Sequence, residues 1–204
     1  MDKWKQLINK ESIDKTIESL KANGIDAQFV STAEDAKKKV LEILPEGVEV
    51  MNMTSVTLDT IGLPKQLNES GKYNSVRNKL SSMNRATQGT EMQKLGAAPE
   101  WTVGSVHAVT EDGHILIASN TGSQLSAYVG GSPNVIWVVG AQKIVKNTDE
   151  GIKRIYEYVL PLEAERARKA YGAPGSNVSK LLIVNKEIKP GRITVILVNE
   201  KLGF

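Results

Sequence analysis

Apolar positions in this chain switch repeatedly between helical and alternating spacing. Ile13, Ile17 and Leu20 recur at helical intervals, and Asn23-Gly24 closes that segment as helix C-termini prefer. Ile25, Ala27 and Phe29 then alternate with Asp26 and Gln28, which predicts a short half-buried strand. Thr32 and Asp35 have capping-box spacing ahead of a helix bearing Ala36, Val40, Leu41 and Leu44. Pro45-Glu46-Gly47 turns the chain into a strand over Val48 to Met53.

The hydroxyl-rich stretch Thr54-Ser55-Val56-Thr57-Leu58 leads towards a helix around Asp59 to Leu63. Across residues 64–96 the periodicity is weaker. Short helices are expected around Pro64 to Glu69 and Arg85 to Leu95, with Gly71 and Gly96 as stops. From Trp101 a β-hairpin is expected to run through Ala108 and return from His114 to Ser119, about the Glu111-Asp112-Gly113 turn. Asn120-Thr121-Gly122-Ser123-Gln124 follows, then a small helical segment and the β-branched strand around Val135 to Val139.

Asn147-Thr148-Asp149-Glu150 starts a long helix whose apolar face is Ile152, Ile155, Tyr156, Val159 and Leu162. Pro161 should kink or interrupt it, because its ring removes a helix hydrogen bond. Leu181 to Val184 and Ile193 to Val198 are the last strands, separated by Lys189-Pro190-Gly191. Helices alternating with apolar strands imply an α/β fold with a mainly parallel sheet covered on both faces. A ligand site is then expected beyond the strand C-termini.

A length of 204 residues fits one domain, taken as residues 1–204. Aromatics are only 5% of the chain, so the core must be mostly aliphatic. The formal net charge of +3 is dispersed among acids, and no basic block with interleaved aromatics suggests a nucleic-acid partner. The absence of cysteine removes disulfides, thiolate metal sites and cysteine nucleophiles. Two histidines, His107 and His114, are too few for a histidine-rich metal site and are expected at the surface. The N-terminus lacks a hydrophobic signal core and no apolar run approaches membrane-spanning length, so the expected location is the cytosol.

Candidate chemistry concentrates between Gly104 and Lys146. Asn120 to Gln124 lies between a strand and a helix, where exposed amides and a helix dipole hold phosphates or carboxylates. Gly122 permits a positive φ or close ligand approach, and Thr121 or Ser123 can cap the helix, which is also the whole role of an ordinary turn. Ser55 and Thr57 form a second such junction, with the same two readings. Lys143, just past a strand, either neutralises a bound anion or is simply exposed. Glu111 is either a solvated turn residue or a carboxylate nucleophile. Neither Walker A nor GxGxxG nor a G-x-S-x-G elbow is present, and no cofactor follows from the sequence.

Several of these stretches resemble one family. Thr57-Leu58 followed by Ile61-Gly62, Ala108-Val109-Thr110-Glu111-Asp112-Gly113, the Asn120-to-Val129 segment and Val138 to Val145 look like the LUD domain, the lactate utilization or LutC/YkgG-like family. Ile152-Lys153-Arg154-Ile155 and the tail from Gly191 to Phe204 extend the likeness over nearly the whole chain. It implies a three-layer α/β/α fold like the ribose-5-phosphate isomerase, CoA-transferase and formyltetrahydrofolate cyclo-ligase group. It also implies an accessory role in lactate or related organic-acid metabolism, with an iron–sulfur oxidoreductase as a possible partner. Some members carry a cysteine-rich segment before the final strands; Tyr171 to Lys180 has none, so no metal or redox role transfers.

The sequence therefore leads to a small anionic ligand held by Ser55, Thr57, Asn120 to Gln124 and Lys143. Two alternatives stand beside it. Thr-Glu-Asp-Gly is similar to the Ser-Glu-Asn-Gly pattern that bears the nucleophilic glutamate in one CoA-transferase class, which would make Glu111 an acyl-transfer residue. The chain can also be read as a protein-interaction module for an iron–sulfur oxidoreductase.

Overall fold

A computed structural model describes residues 2–204. Six strands form a wholly parallel sheet: β1 (Asp26–Val30), β2 (Glu49–Asn52), β3 (Asn74–Ser75), β4 (Trp101–Gly104), β7 (Asn134–Gly140) and β10 (Ile193–Val198), in the spatial order β1-β10-β7-β4-β2-β3. β5 (Ala108–Thr110), β6 (Ile115–Ser119), β8 (Ile144–Val145) and β9 (Lys180–Val184) form a second sheet in the order β8-β5-β6-β9. Here β5 pairs antiparallel with β6 and parallel with β8, while β6 pairs antiparallel with β9.

The main sheet is buried on both faces, which is why its central strands read as unbroken apolar runs rather than alternating ones. Val135, Trp137 and Val139 of β7 join Val195 and Leu197 of β10 in one cluster with Ile13 and Leu20 of helix α1 (Lys10–Ala22). Val109, Ile115 and Ile117 from the second sheet enter the same cluster. The intervening residues Ile136, Val138, Ile196 and Val198 face the other way. They pack with Ala36 and Val40 of α2 (Ala33–Ile43), Leu58 of α3 (Val56–Thr60) and Leu63 and Leu67 of α4 (Leu63–Glu69). The result is a three-layer α/β/α arrangement, with the second sheet sharing the α1 layer.

The outer face of the second sheet is covered by α7 (Thr148–Arg154) and α8 (Leu160–Tyr171), with Ala108, Leu116 and Val145 against Ile155, Tyr158 and Val159. The two helices are continuous through a π-turn, Ile155–Val159, in which the Leu160 N–H reaches the Ile155 carbonyl. Pro161, which has no N–H to give, follows immediately, so the expected interruption is a widened turn rather than a break. Tyr158 is buried in this stretch, whereas Tyr156, expected on the apolar face, is half exposed.

Other differences have simple causes. Trp101–Gly104 belongs to the main sheet, not to the hairpin, because the chain changes sheets at Ser105 to His107. Phe29 is exposed because β1 is an edge strand. Gly96 lies inside α6 (Arg85–Ala97) instead of ending it, and α5 (Val76–Ser82) carries no signal strong enough to predict it.

Candidate functional site

Because the main sheet is parallel, the strand order sets which loops meet at its C-terminal edge. β2, β4, β7 and β10 lie near one another there, and each contributes polar groups to one cluster. Thr54 to Thr57 follow β2, Ser105 to His107 follow β4, Ala141 to Lys143 follow β7, and Leu202 and Gly203 follow β10.

Lys143 occupies the centre and is 2% exposed, so it is neither a surface residue nor solvated. Its Nζ lies 2.9 Å from Thr57 Oγ1, 3.1 Å from Ser105 Oγ and 3.1 Å from the Val106 carbonyl. Thr57, also buried, donates its own proton to the Leu202 carbonyl at 3.2 Å. Gln142 reaches that carbonyl with Nε2 at 2.9 Å. Gly203, at φ +62°, crosses so close to Thr57 that a Cβ would collide with its hydroxyl and backbone nitrogen. Burial, then the nearby Arg154 guanidinium, hold the Lys143 pKa well below the usual lysine value.

Arg154 is completely buried on the inner face of α7. Nη1 donates to the His107 carbonyl, and the guanidinium lies 5.2 Å from the Tyr158 ring centroid. Its Nε and Nη2 have no hydrogen-bond partner among the described residues. Burial lowers its pKa to about 10. His107 keeps part of its surface, but its Nδ1 faces inward and accepts the Ala118 N–H at 3.0 Å. Burial, with the charges of Lys143 and Arg154, brings its pKa down to about 3. His107 is thus a neutral, internally bonded histidine rather than a surface one.

Arg77 of α5 approaches the same edge from the outer side. Nε donates to the Asn52 carbonyl at 2.8 Å and Nη2 to Thr54 Oγ1 at 2.7 Å. Burial lowers the Arg77 pKa, and the Asp59 carboxylate nearby partly opposes this. The Asn52 side-chain oxygen is buried without a partner among the described residues. No acidic side chain of the described residues forms an ion pair with Arg77, Lys143 or Arg154.

The other predicted positions are placed as follows. Ser55 caps α3, accepting the Leu58 N–H at 3.4 Å. Asn120 to Gln124 lie at the end of β6 in the second sheet. Within this loop Gly122, at φ +86°, donates to Ser119 Oγ at 2.8 Å, Gln124 Oε1 accepts from Ser119 at 2.9 Å, and Thr121 pairs with Ser123. Asn120 bonds Ser179 and borders a cleft of about 400 Å³ with Ala173 to Asn177, the segment after Tyr171. No hydrogen bond joins this loop to Lys143. Glu111 pairs with Lys15 of α1 at 3.0 Å, which holds its carboxyl below the usual range. Nor does it contact the Lys143 cluster by a hydrogen bond.

Comparison with known proteins gives the lineage. The LUD domain family model matches residues 13–198. The chain belongs to the LUD-domain family. A solved structure of a DUF162 family protein from Deinococcus radiodurans has the same fold, with a TM-score of 0.59 at 15% identity over 95% of this chain and 100% of that one. No curated protein matches the chain. Among the described residues of this LUD-domain protein no helix is long and apolar enough to cross a membrane, and no group of histidines and carboxylates converges as a metal site.

Arg77, Ser105 and Arg154 are the residues that sequence reasoning missed. A signal for Arg154 existed: it falls four residues before Tyr158, on the same stripe as Ile155 and Val159, where a charge is out of place. Arg77 had none, since its helix lacks a clear period.

Proposed function

We propose that this LUD-domain protein binds a small carboxylate-bearing anion at the C-terminal edge of the main sheet, as an accessory factor in lactate or related organic-acid utilization. The observation that carries this reading is the group of basic side chains Arg77, Lys143 and Arg154, none of which forms an ion pair with an acid among the described residues, Asp59 acting on Arg77 only through its field. Arg154 is a buried charge with two unpartnered nitrogens, which is costly, so the group favours an incoming anion. Arg77 with Thr54 and Ser55 would receive the carboxylate, and Thr57 with Lys143 would form the rear wall. The cleft bordered by Asn120 and Ala173 to Asn177 would take the remainder of the ligand. An arriving anion would also raise the Lys143 pKa and so strengthen its own binding.

Thermal denaturation across 2-hydroxy and 2-oxo acids, nucleotides and CoA esters tests this reading. At least one organic acid should raise the melting temperature of the wild type and not of Arg77→Met. If no compound stabilises the wild type more than it stabilises R77M and G122D, the anion site is wrong.

A further inference from the structure

The hydrogen bonds around Lys143 have a second consequence, which depends on counting protons. Lys143 Nζ has three partners: Thr57 Oγ1 at 2.9 Å, Ser105 Oγ at 3.1 Å and the Val106 carbonyl at 3.1 Å. A protonated lysine donates to all three. A neutral amine has two N–H bonds and one lone pair, so one of the three contacts must reverse.

Val106 offers a carbonyl oxygen, which only accepts. The single Thr57 hydroxyl proton is committed to the Leu202 carbonyl at 3.2 Å. Ser105 alone is able to turn its O–H towards the lone pair. Losing a proton from Lys143 therefore produces one defined arrangement, an amine that accepts from the Ser105 hydroxyl. The surroundings favour that loss. Lys143 is buried and has no carboxylate beside it, while the Arg154 charge is held close on the adjacent His107 carbonyl.

Ser105 is suitably placed to react. It stands in the loop after β4 at the C-terminal edge of the sheet, half-buried rather than sealed. Lys143, behind it, is closed off from bulk water. A half-buried hydroxyl with a desolvated amine behind it is the arrangement that activates a serine without histidine.

We infer that Ser105 and Lys143 form a serine–lysine nucleophile pair acting on esters or thioesters of small carboxylic acids. Ser105 Oγ attacks the acyl carbon and its proton passes to Lys143 Nζ. The bond from that carbon to the leaving alcohol or thiol breaks, and the leaving group takes the proton from Lys143. Water then attacks the acyl-serine, giving a proton to Lys143. The acyl–Oγ bond breaks, Ser105 recovers that proton, and the carboxylic acid departs. One ester and one water become one acid and one alcohol or thiol. Thr57 and Val106 are positioning groups that aim the amine.

The pair shares Lys143 with the proposed anion site but stands on the proton count, so the two readings fail separately. S105A should lose all labelling at this position and keep the stabilisation by ligand that R77M lacks. Incubation with a fluorophosphonate should give one adduct on the wild type, mapped by mass spectrometry to Ser105 and absent from S105A. In K143M with an intact circular dichroism spectrum, labelling should slow by about 100-fold, the lower range for a lost general base. An unlabelled Ser105 in the wild type, or equal labelling of folded K143M, overturns the assignment. S105C supplies a measurement that leaves Lys143 in place. The chain has no cysteine, so the introduced thiol is its only one. Iodoacetamide at pH 7 should alkylate it about 10-fold faster than free cysteine if the neighbouring amine removes its proton. An equal or slower rate counts against the pair.

Discussion

The Nζ of Lys143 lies 2.9 Å from the hydroxyl of Thr57, which ties the end of β7 to the helix after β2 across the intervening strand β4. Ser105 and the Val106 carbonyl, both from the loop after β4, complete the same cluster. Three parallel strands are thereby linked at their C-terminal ends by one side chain.

Thr57→Val tests the value of that link. Valine keeps the shape of threonine but can neither accept from Lys143 nor donate to the Leu202 carbonyl. A stability loss of about 1–3 kcal/mol is expected for the unmet buried groups. Thr57→Ser, which retains the hydroxyl, should remain within about 1 kcal/mol of the wild type. Urea unfolding midpoints of the two variants decide between them, and equal midpoints would mean that the hydroxyl adds nothing.

The two buried arginines should respond in opposite directions. Arg192 donates to the Ser132, Ala127 and Tyr128 carbonyls and pairs with Glu187 at 2.6 Å. Arg192→Met leaves Glu187 without its cation and the Ser132 and Tyr128 carbonyls without the guanidinium, while the Ala127 carbonyl keeps the Ser132 N–H. A loss of about 3–5 kcal/mol follows from breaking a buried pair. Arg154 has one hydrogen bond and two unpartnered nitrogens. Arg154→Met should be neutral or stabilising in the absence of ligand, because an apolar side chain replaces a poorly compensated charge. Equilibrium unfolding of both variants measures the contrast, and a large loss in R154M would contradict it.

Gly104 has no room for a side chain. A Cβ there would overlap the Tyr128 hydroxyl, and Tyr128 is itself buried with its ring 5.2 Å from that of Trp137 in an edge-to-face contact. Gly104→Ala should therefore cost about 1–3 kcal/mol through overpacking. Tyr128→Phe in the same chain should recover part of this, since it removes the atom in closest overlap. A double-mutant cycle is the measurement, and strict additivity would show that the two residues do not collide.

His107 supplies a pH dependence. Its pKa is about 3 in the folded chain against an ordinary value near 6.5, because burial and the Lys143 and Arg154 charges oppose protonation. Between those values the unfolded chain binds a proton that the folded chain does not. Its contribution to stability is complete above pH 6.5 and is lost as pH falls towards 3, with a slope of up to about 1.4 kcal/mol per pH unit. The imidazole signals of His107 in NMR should show no inflection between pH 5 and 8. A midpoint near 6.5 would mean that the ring is solvated.

Much of the scaffold was legible in local pattern. The caps at Thr32 and Asn147, the stop at Asn23 and the apolar runs of β7 and β10 all mark real elements, since each depends on neighbours a few residues away. Sheet membership was not legible. Trp101 to Gly104 and Ala108 to Thr110 are both short apolar segments, yet they pair with different partners far along the chain. The candidate site divides in the same way. Thr57 and Lys143 were identifiable from strand-end position, whereas Arg77, Ser105 and Arg154 matter through contacts with residues remote in sequence.

Hydrophobic period, capping residues and family motifs were enough to specify an α/β protein of the LUD-domain family, with polar groups gathered at strand ends. Tertiary structure alone decided that Lys143 is buried rather than exposed, that Ser105 faces it, and that Asn120 to Gln124 closes on its own hydrogen bonds. The physical reason is that burial and pairing are properties of strand order. Strand order brings the ends of β2, β4 and β7 together across a separation of 86 residues between Thr57 and Lys143. No local window of sequence contains that distance.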